Sequence, residues 1–435
     1  MTHDVNALTG RLQSALAAAK RAGADAAKVA CAQSEEMNVV FEAGRLKDTG
    51  GGQSFGHTVE VLAKRRRCRA SGTLLANLDR TVAQAASLVH LGSNAHFEAW
   101  PAPAPYAPVQ IHSSRAALTR EQLISACERM VEPLKSHDPE LFISCQAQRV
   151  ESEGVMVTSG GVVHASASTL WMIGGFVQRT RDADMLMAYD SRAWREVNEY
   201  FDPDAITARI LQRLQWAERS AAPPAGATTV FLPPEVLNMF LAPLYLGISG
   251  RRVAKGESPL ADKIGTRVLA PCLTITDEPH RAFSPGAADA DGDGIPTRRQ
   301  TLVANGVLQR FLYDLDSAGL AGAEPSGNDQ CLPYDTVIAR GTRSSEQLLR
   351  GIRDGLYLTG NLIGFGQSNM LNGDFSCNVG LGYRIQNGEI VGRVKDTMVA
   401  GNLYEILNGT VELSSDADYD GATPYAVVEG VTVSA

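Results

Sequence analysis

The sequence lacks any pair of histidines placed to bind a metal ion from one face of a helix. Its eight histidines lie at positions 3, 57, 90, 96, 112, 137, 164 and 280; none precedes a glutamate, and no two are four residues apart. Motifs such as His-Glu-x-x-His hold two neutral imidazoles and a general base together, so their absence argues against a self-contained zinc hydrolase. His90 and His96 are the closest pair, but a helix is predicted to end between them, and we expect no metal site there.

Paired cysteines are also absent. The seven cysteines are scattered and never form Cys-x-x-Cys; they are Cys31, Cys68, Cys127, Cys145, Cys272, Cys331 and Cys377. Such a set fits reduced thiols in a cytoplasm better than a disulfide framework or a zinc ribbon. The N-terminus has no charged segment followed by an apolar one, and no run of about 18 apolar residues occurs. We therefore expect a cytoplasmic protein that does not enter a membrane.

Positive charge is scarce as well. The formal net charge is −8, so a nucleic-acid partner would meet an unfavourable overall field. The one dense basic run, residues 64–69, lies between two alternating stretches, and we interpret it as the exposed tip of a β-hairpin. Nucleic acid is not an expected partner.

A calcium-binding motif occurs only in part. Residues 289–294, Asp-Ala-Asp-Gly-Asp-Gly, match the first half of an EF-hand loop. Gln300 stands where the bidentate glutamate belongs, and Pro296 interrupts the loop. We predict a polar, solvated loop, with adventitious cation binding as the alternative.

Signals for nucleophilic catalysis and phosphate binding are incomplete too. Ser249, Ser284 and Ser376 lack a Gly-x-Ser-x-Gly turn and a nearby histidine base. The glycine-rich residues 360–366 lack the following Lys-Ser/Thr of a phosphate loop, so we interpret them as a turn at a strand edge.

Length and composition predict two folded domains. The chain has 435 residues, of which 44% are hydrophobic and 20% charged. Residues 220–228, Ser-Ala-Ala-Pro-Pro-Ala-Gly-Ala-Thr, are typical of a linker, which divides the chain into domains 1–222 and 228–435. We predict an α+β fold: an N-terminal domain of helices and antiparallel sheet, and a β-rich C-terminal domain.

The N-terminal domain is predicted to contain two helix–strands–helix segments joined by an extended proline-rich connection near residues 100–112. The predicted helices are 4–22, 78–91, 119–135 with the capping box Thr119–Gln122, and one that Asp202-Pro203 opens. The predicted strands are 28–33, 37–41, 55–62, 67–72, 141–149, 154–158, 162–168 and 170–178. In the C-terminal domain we predict a strand at 229–232, helices at 234–248 and 344–354, and otherwise short strands with glycine turns.

The C-terminal domain carries a more specific pattern. Residues 374–403 contain an aromatic, glycine-bearing strand, then Ile-Gln-Asn-Gly-Glu-Ile, then Val-Ala-Gly-Asn-Leu. This order resembles the signature near the C-terminus of TldD/PmbA proteins. Further segments resemble the PmbA branch of that family in the same order: Ser249-Gly250, Lys255–Leu260, Ile264-Gly265, Leu273–Pro279 and Gly294–Arg299.

The resemblance implies two domains around a large cleft, dimers, and a link to zinc-dependent proteolysis of small or unfolded polypeptides. It also brings the historical name modulator of DNA gyrase, which describes a phenotype. In the TldD branch, a helix after the linker carries His-Glu-x-x-x-His, and a later cysteine completes the zinc site. The matching helix here, residues 234–245, has no histidine, as in PmbA (TldE) members, and Pro243 kinks or ends it.

Cys377 falls where the TldD cysteine ligand would be, but one thiolate does not hold zinc alone. We interpret it as a relic ligand or a packing residue, with a retained functional role as the alternative. The resemblance thus implies no intact catalytic or metal site in this chain. It makes Asp374, Ser376, Cys377 and Asn402 the candidate residues of a substrate cleft.

The predicted function is that of a PmbA/TldE-like subunit of a TldD/TldE-type zinc metallopeptidase. A TldD-like partner would supply the zinc, and this chain would bind no cofactor alone; whether it has activity alone stays open. A peptide could enter by adding a strand to an exposed sheet edge. The alternative is a peptide-binding pseudoenzyme that forms a homodimer. Direct action on gyrase or DNA is less favoured, because no recognised DNA-binding motif is present.

Overall fold

The N-terminal part of the chain is built on one antiparallel sheet. The computed structural model describes residues 5–114 and 117–434. The strands of this sheet are β1 Ala26–Glu42, β2 Arg45–Asp48, β3 Gly51–Ala63, β4 Arg66–Gly72, β5 Ser93–Asn94, β6 Phe142–Thr158, β7 Val163–Arg181 and β8 Asp184–Trp194. They are ordered β5-β4-β3-β1-β6-β7-β8, with β2 paired to β1.

Several strands are longer than the sequence predicts. The predicted strands 28–33 and 37–41 form the single strand β1, and the predicted breaks inside β6 and β7 are likewise wrong. The polar residues at the predicted break continue the ladder because cross-strand partners bind them: Gln148 Nε2 donates to Glu36 Oε1 (2.6 Å) and Gln53 Nε2 to Glu35 Oε2 (3.1 Å). Strand β8 was not predicted at all.

Four helices cover one face of this sheet. They are α1 Val5–Arg21, α2 Leu78–Leu88, α3 Arg120–His137 and α4 Pro203–Trp216. Helices α1 and α2 enclose an apolar cluster over one end of the sheet, and α3 and α4 enclose another over the other end. The Thr119 capping box and the Asp202 N-cap are both present, as predicted; the first residue of the predicted first helix, Asp4, lies outside the described residues.

Two smaller predictions on this sheet are confirmed. The basic run forms the tip of the β3–β4 hairpin, where Lys64 and Arg65 adopt positive φ angles of 49° and 62°. The connection from residue 100 to residue 113 contains no helix or strand, as its prolines predict.

The C-terminal part contains two further sheets. A four-stranded sheet, ordered β12-β11-β10-β13, consists of β10 Ile275–Asp277, β11 Gln300–Ala304, β12 Val307–Leu308 and β13 Thr336–Ile338. A nine-stranded sheet consists of β9 Gly226–Leu232, β14 Asp354–Leu358, β15 Leu362–Ile363, β16 Asp374–Val379, β17 Gly382–Gln386, β18 Glu389–Arg393, β19 Met398–Asn402, β20 Val411–Ala417 and β21 Pro424–Ser434. Its order is β15-β16-β19-β21-β9-β14-β17-β18, with β20 beside β21, and only β9 and β14 run parallel.

Short helices pack on these sheets. They are α5 Pro234–Phe240, α6 Ala242–Gly247, α7 Gly250–Ala254, α8 Leu315–Ala321, α9 Ser345–Gly351 and α10 Leu403–Asn408. The predicted helix 234–248 is therefore two helices that meet at Leu241, with Pro243 in the first turn of the second. The predicted helix 344–354 is shorter than expected, because residues from Asp354 onward join β14. The α+β prediction is confirmed.

The nine-stranded sheet is buried on both faces. Val230 and Leu232 of β9 lie in the C-terminal apolar cluster, whereas Phe231 between them faces the cluster that includes α4. Tyr383 also reaches α4, where its hydroxyl donates to the Arg213 carbonyl (2.7 Å). The predicted division of the chain at residues 222–228 stays a prediction, because one buried cluster contains side chains from both sides of it.

The acidic loop at residues 289–294 is not the solvated loop that the sequence predicts. Asp291 is only 4% exposed and accepts the N–H groups of Asp293 and Ile295 (both 2.9 Å). Asp293 binds Lys28 Nζ (2.5 Å) and the indole N–H of Trp100 (3.0 Å). The Lys28 ammonium, which also lies 3.6 Å from Glu60 Oε2, attaches the loop to the N-terminal part.

None of the helices in residues 5–114 and 117–434 has the length and apolar character that crossing a membrane requires.

Candidate functional site

Two of the predicted cleft residues meet at the end of the β16–β19 pair. Asp374 lies directly opposite Asn402 in the antiparallel register. The Asn402 amide donates to Asp374 Oδ1 (2.9 Å) and to the Asn372 carbonyl (2.8 Å). Its oxygen accepts the N–H groups of Tyr404 (3.0 Å) and Glu405 (3.2 Å), which makes Asn402 the N-cap of α10. Asn402 therefore fixes the backbone around Asp374.

Ser376 lies on the exposed face of β16 together with Asp374. The strand alternates strictly, with Asp374 and Ser376 exposed and Phe375 and Cys377 buried. The N–H of Ser376 donates to the hydroxyl of Ser368 (3.1 Å), a partner that the sequence pattern did not identify. Ser368 reaches this strand because the chain between them, which includes Gly373, turns back on itself.

Cys377 points away from the other three candidates. It is 2% exposed and belongs to an apolar cluster that also contains Phe240, Phe365 and Phe375. Burial raises the pKa of the Cys377 thiol to about 12, so the thiol form dominates at neutral pH. The structure thus brings Asp374, Ser376 and Asn402 to one exposed strand end and leaves Cys377 in the core; a role for any of them in a cleft stays a prediction.

The helix that matches the TldD zinc helix presents hydrocarbon to the core. Val236, Leu237 and Phe240 of α5 are fully buried, and the Phe240 ring stacks on Phe365 with ring centroids 6.0 Å apart. Within the described ranges, no group of three or more His, Cys, Asp or Glu side chains is placed to hold a metal ion. A protonated, buried Cys377 beside aromatic rings does not offer the donor set of a zinc site.

Strand β16 has an open edge beside this site. β15 pairs only with residues 378 and 379, and no strand of the described chain pairs with residues 374–377 on that side. The Ser376 N–H points away from β19. In an antiparallel pair the backbone N–H and C=O groups of every second residue point to the same side, so those of Asp374 also point away from β19. The outward N–H of Ser376 is taken by the Ser368 hydroxyl, so a strand that pairs here would have to displace Ser368.

The opposite edge of the same sheet is covered. There the Ala221 N–H donates to the Arg393 carbonyl (2.8 Å), and the Arg393 N–H donates to the Arg219 carbonyl (2.7 Å). The chain after α4 therefore closes the β18 edge. On the other side of the sheet, beyond the two residues that β15 pairs, residues 374–377 of β16 have no further strand partner among the described residues.

Comparisons with known proteins agree with the sequence signature. Residues 225–435 match the family described as PmbA/TldA metallopeptidase C-terminal domain. The chain is 30% identical over 230 residues to a metalloprotease of Methanothermobacter thermautotrophicus, which covers 51% of this chain and 50% of that protein. It is 27% identical over 228 residues to a zinc metalloprotease TldD homolog of Saccharolobus solfataricus, with 50% and 51% covered.

The chain thus spans about half the length of the curated relatives it matches. Its fold extends further: the crystal structure of TldE from Thermococcus kodakarensis superposes with a TM-score of 0.87 over 98% of this chain and 100% of that chain, at 21% identity. Together with the signature at residues 374–403, the matched domain shows that residues 225–435 of the chain belong to the TldD/PmbA family.

Proposed function

We propose that this chain is a PmbA/TldE-like subunit of a TldD/TldE-type zinc metallopeptidase acting on small or unfolded polypeptides. In this proposal the chain binds no zinc itself; a TldD-like partner supplies the metal and the general base. The observation that carries the proposal is the environment of Cys377, which matches the TldD ligand in sequence yet is packed among phenylalanine rings. A buried, protonated thiol without imidazole neighbours suits packing better than metal binding.

The open edge of β16 supports peptide binding. An extended polypeptide that displaced Ser368 and paired with Asp374 and Ser376 would gain main-chain hydrogen bonds whatever its side chains, which suits unfolded substrates of varied sequence. Asn402 holds Asp374 in place, and α10 begins directly behind it.

The test is expression of the chain alone and together with a TldD-type protein that carries His-Glu-x-x-x-His. Native mass, zinc content and cleavage of an unfolded casein substrate are measured. We expect the chain alone to be zinc-free and inactive, and the pair to form a complex with zinc and chelator-sensitive activity. Chelator-sensitive cleavage by the pure chain would overturn the proposal. A homodimer that ignores the partner would favour the peptide-binding pseudoenzyme instead.

A variant pair tests the strand edge. Ser376→Pro removes the outward N–H, and with it the bond to the Ser368 hydroxyl, without touching the ladder to β19, because an edge strand tolerates proline. Ser376→Ala retains the N–H and is the matched control. We expect the proline variant to lower peptide cleavage by the complex about ten-fold, the effect of losing about 1.4 kcal/mol of binding, while the alanine variant retains it. Equal activities would remove the edge from the proposal, provided circular dichroism shows both variants folded.

A further inference from the structure

A cavity of about 290 Å³ lies at the C-terminal end of α6, away from the predicted cleft residues. Helix α7 and residues 330–332 form its other walls. Leu246 and the 40% exposed Leu332 give it apolar walls, and Arg251, Arg252 and Lys255 give it three positive charges. Glu257 also lines the cavity, so three cations and one carboxylate leave a local excess of positive charge, in contrast with the net charge of −8 of the whole chain.

The three cations differ in how strongly they are already paired. Arg251 binds the buried carboxylate of Asp314 at 2.5 Å, so it is largely a structural residue. Arg252 is 3.7 Å from Glu257, and both side chains are more than a third exposed, so that pair is weak. The Lys255 side chain is exposed, and no carboxylate among the described residues pairs with it.

Besides Glu257, the polar side chains of Ser249 and Gln330 line the cavity beside these cations. Ser249 is the N-cap residue of α7, but its hydroxyl makes no capping hydrogen bond to that helix. A hydroxyl next to two weakly paired cations can donate to an anion that enters the cavity. The apolar side walls favour an anion carried on a hydrocarbon body over a bare inorganic ion.

We propose that this cavity binds the carboxylate of a polypeptide, with an aliphatic side chain of the same segment against Leu246 and Leu332. Lys255 and Arg252 provide the charge, and Ser249 donates a hydrogen bond. The carboxylate could belong to the C-terminus of the polypeptide or to an acidic side chain. The peptide assignment rests on the proposed function, whereas the carboxylate chemistry rests on the cavity alone.

The position of the cavity fits a role alongside the strand edge. Leu246 is near the end of α6, and at the other end of this helix the Pro243 carbonyl accepts the Tyr404 hydroxyl (2.7 Å). Tyr404 is in the first turn of α10, which Asn402 caps. Helix α6 thus connects the cavity wall to the start of α10, the helix that Asn402 caps.

The test uses the folded full chain and three N-terminally fluorescein-labelled hexapeptides rich in alanine and leucine. One has a free C-terminal carboxylate, one a C-terminal amide, and one an amide with a glutamate as its last residue. Fluorescence polarisation gives the dissociation constants. We expect the free-acid peptide to bind about five-fold more tightly than the plain amide, a difference that shrinks as salt screens exposed charges.

Three variants locate the effect. Lys255→Gln removes the unpaired charge and is expected to abolish the difference between acid and amide. Glu257→Gln frees Arg252 from its ion pair and is expected to increase the difference in affinity between the acid and amide peptides. Misfolding would not increase that difference. Lys20→Gln, at an exposed lysine in the last turn of α1, is the matched control and is expected to change nothing.

The outcomes separate this proposal from the proposed function. If the glutamate-bearing amide has the same dissociation constant as the free acid, an acidic side chain can supply the carboxylate. If it has the same dissociation constant as the plain amide, the C-terminus supplies it. If all three peptides bind equally and Ser376→Pro weakens them all, the strand edge stands and the carboxylate site is overturned. If N-acetyl-leucine binds in a Lys255-dependent manner but no peptide responds to Ser376→Pro, the carboxylate site stands and the strand-edge proposal fails.

Discussion

At the scale of single residues, Cys377 is the position that the resemblance equates with a TldD zinc ligand, and its side chain lies in an apolar cluster. Its side chain faces the core because β16 alternates, which places it with Phe375 and opposite Asp374 and Ser376. A family signature aligns positions along a chain, whereas metal binding needs several donors around one point.

Replacing Cys377 with serine is expected to destabilise the protein. A hydroxyl introduced among phenylalanine rings loses hydration without gaining a partner, at a cost of about 1–3 kcal/mol. Cys272→Ser, at the exposed cysteine, is the control and is expected to change stability little. Urea unfolding of the two variants measures the difference. Equal midpoints, or zinc binding that Cys377→Ser abolishes, would contradict the packing role.

Asp291 makes a second prediction at this scale, because one of its carboxylate oxygens is buried without a hydrogen-bond partner. Burial, with Asp293 and Asp329 nearby, raises its pKa to about 7 from an ordinary value of 3.8. The folded state therefore binds this proton more tightly than the unfolded chain. Its contribution to stability is fully present below pH 4 and is lost as the pH rises to about 7.

Asp291→Asn is expected to remove that loss, since an amide accepts the same two backbone N–H groups and does not ionise. The stability of wild type relative to the variant should fall with pH by up to about 1.4 kcal/mol per unit between pH 4 and 7 and be level above pH 8. Urea unfolding over this range measures it. Asp396→Asn, at an exposed aspartate, is the control; a wild-type-minus-variant difference independent of pH would refute the pKa assignment.

At the scale of secondary-structure elements, the contact of β3, β4 and α2 depends on a glycine. The buried His57 ring of β3 contacts Thr81 of α2, with Nε2 2.8 Å from its hydroxyl. That hydroxyl donates to the Asn77 carbonyl, so His57 Nε2 is the donor in this contact. Gly72 of β4 lies beside the ring, and a Cβ there would be 2.5 Å from the ring carbon Cε1.

Gly72→Ala is therefore expected to displace the His57 ring and break its bond to Thr81. Overpacking of this kind costs about 1–3 kcal/mol. Gly52→Ala, in the neighbouring strand β3, is the matched control, because a Cβ at that position meets no atom within 4 Å. Thermal unfolding compares the variants; equal melting temperatures would show that the ring moves aside freely.

The strands also show which element-scale features were predictable. The alternation of inward Leu186 and Ala188 with outward Met185 and Tyr189 was a usable signal for β8, although the surrounding charged residues obscured it. The continuity of β1 through Ser34, Glu35 and Glu36 was not predictable, because neighbouring strands on both sides supply the hydrogen bonds that hold polar residues in a strand.

At the scale of the whole molecule, the two parts of the chain share buried structure. Arg213 of α4 binds Glu235 of α5 (2.6 Å) and the Tyr189 carbonyl (2.6 Å), and its own carbonyl accepts the Tyr383 hydroxyl. Helix α4 is therefore held by strand β8 on one side and by the C-terminal part on the other.

We expect the two parts to unfold in one transition. All four tryptophans lie before residue 220, but Trp100 binds Asp293 and Trp216 packs on Tyr357 and Tyr383. Their fluorescence therefore reports on the N-terminal part and its contact with the C-terminal part, while far-UV circular dichroism reports on the backbone of both. Coincident urea transitions by the two probes would support this expectation. A circular dichroism transition that continues after the fluorescence change is complete would contradict it.

Arg213→Met tests the ion pair within this shared core. Removing the guanidinium leaves the partly buried Glu235 carboxylate without its partner, at an expected cost of about 3 kcal/mol. Adding Glu235→Gln should restore at least about 1 kcal/mol, because the neutral amide needs no counter-charge. Urea unfolding of both variants and of Glu235→Gln alone completes the double-mutant cycle. Strict additivity would show that the pair is not coupled.

The sequence by itself determined the family, the α+β class, most helices and the turns, because these depend on local spacing and on residues such as Thr119 and Asp202 that cap a helix whatever surrounds it. It also determined that no histidine motif for zinc is present. Only the tertiary structure decided which face of β16 each candidate residue occupies, which sheet edge stays open, and that Lys28 pairs with Asp293 of the acidic loop. Those properties arise from contacts between residues far apart in the chain, which local spacing does not encode.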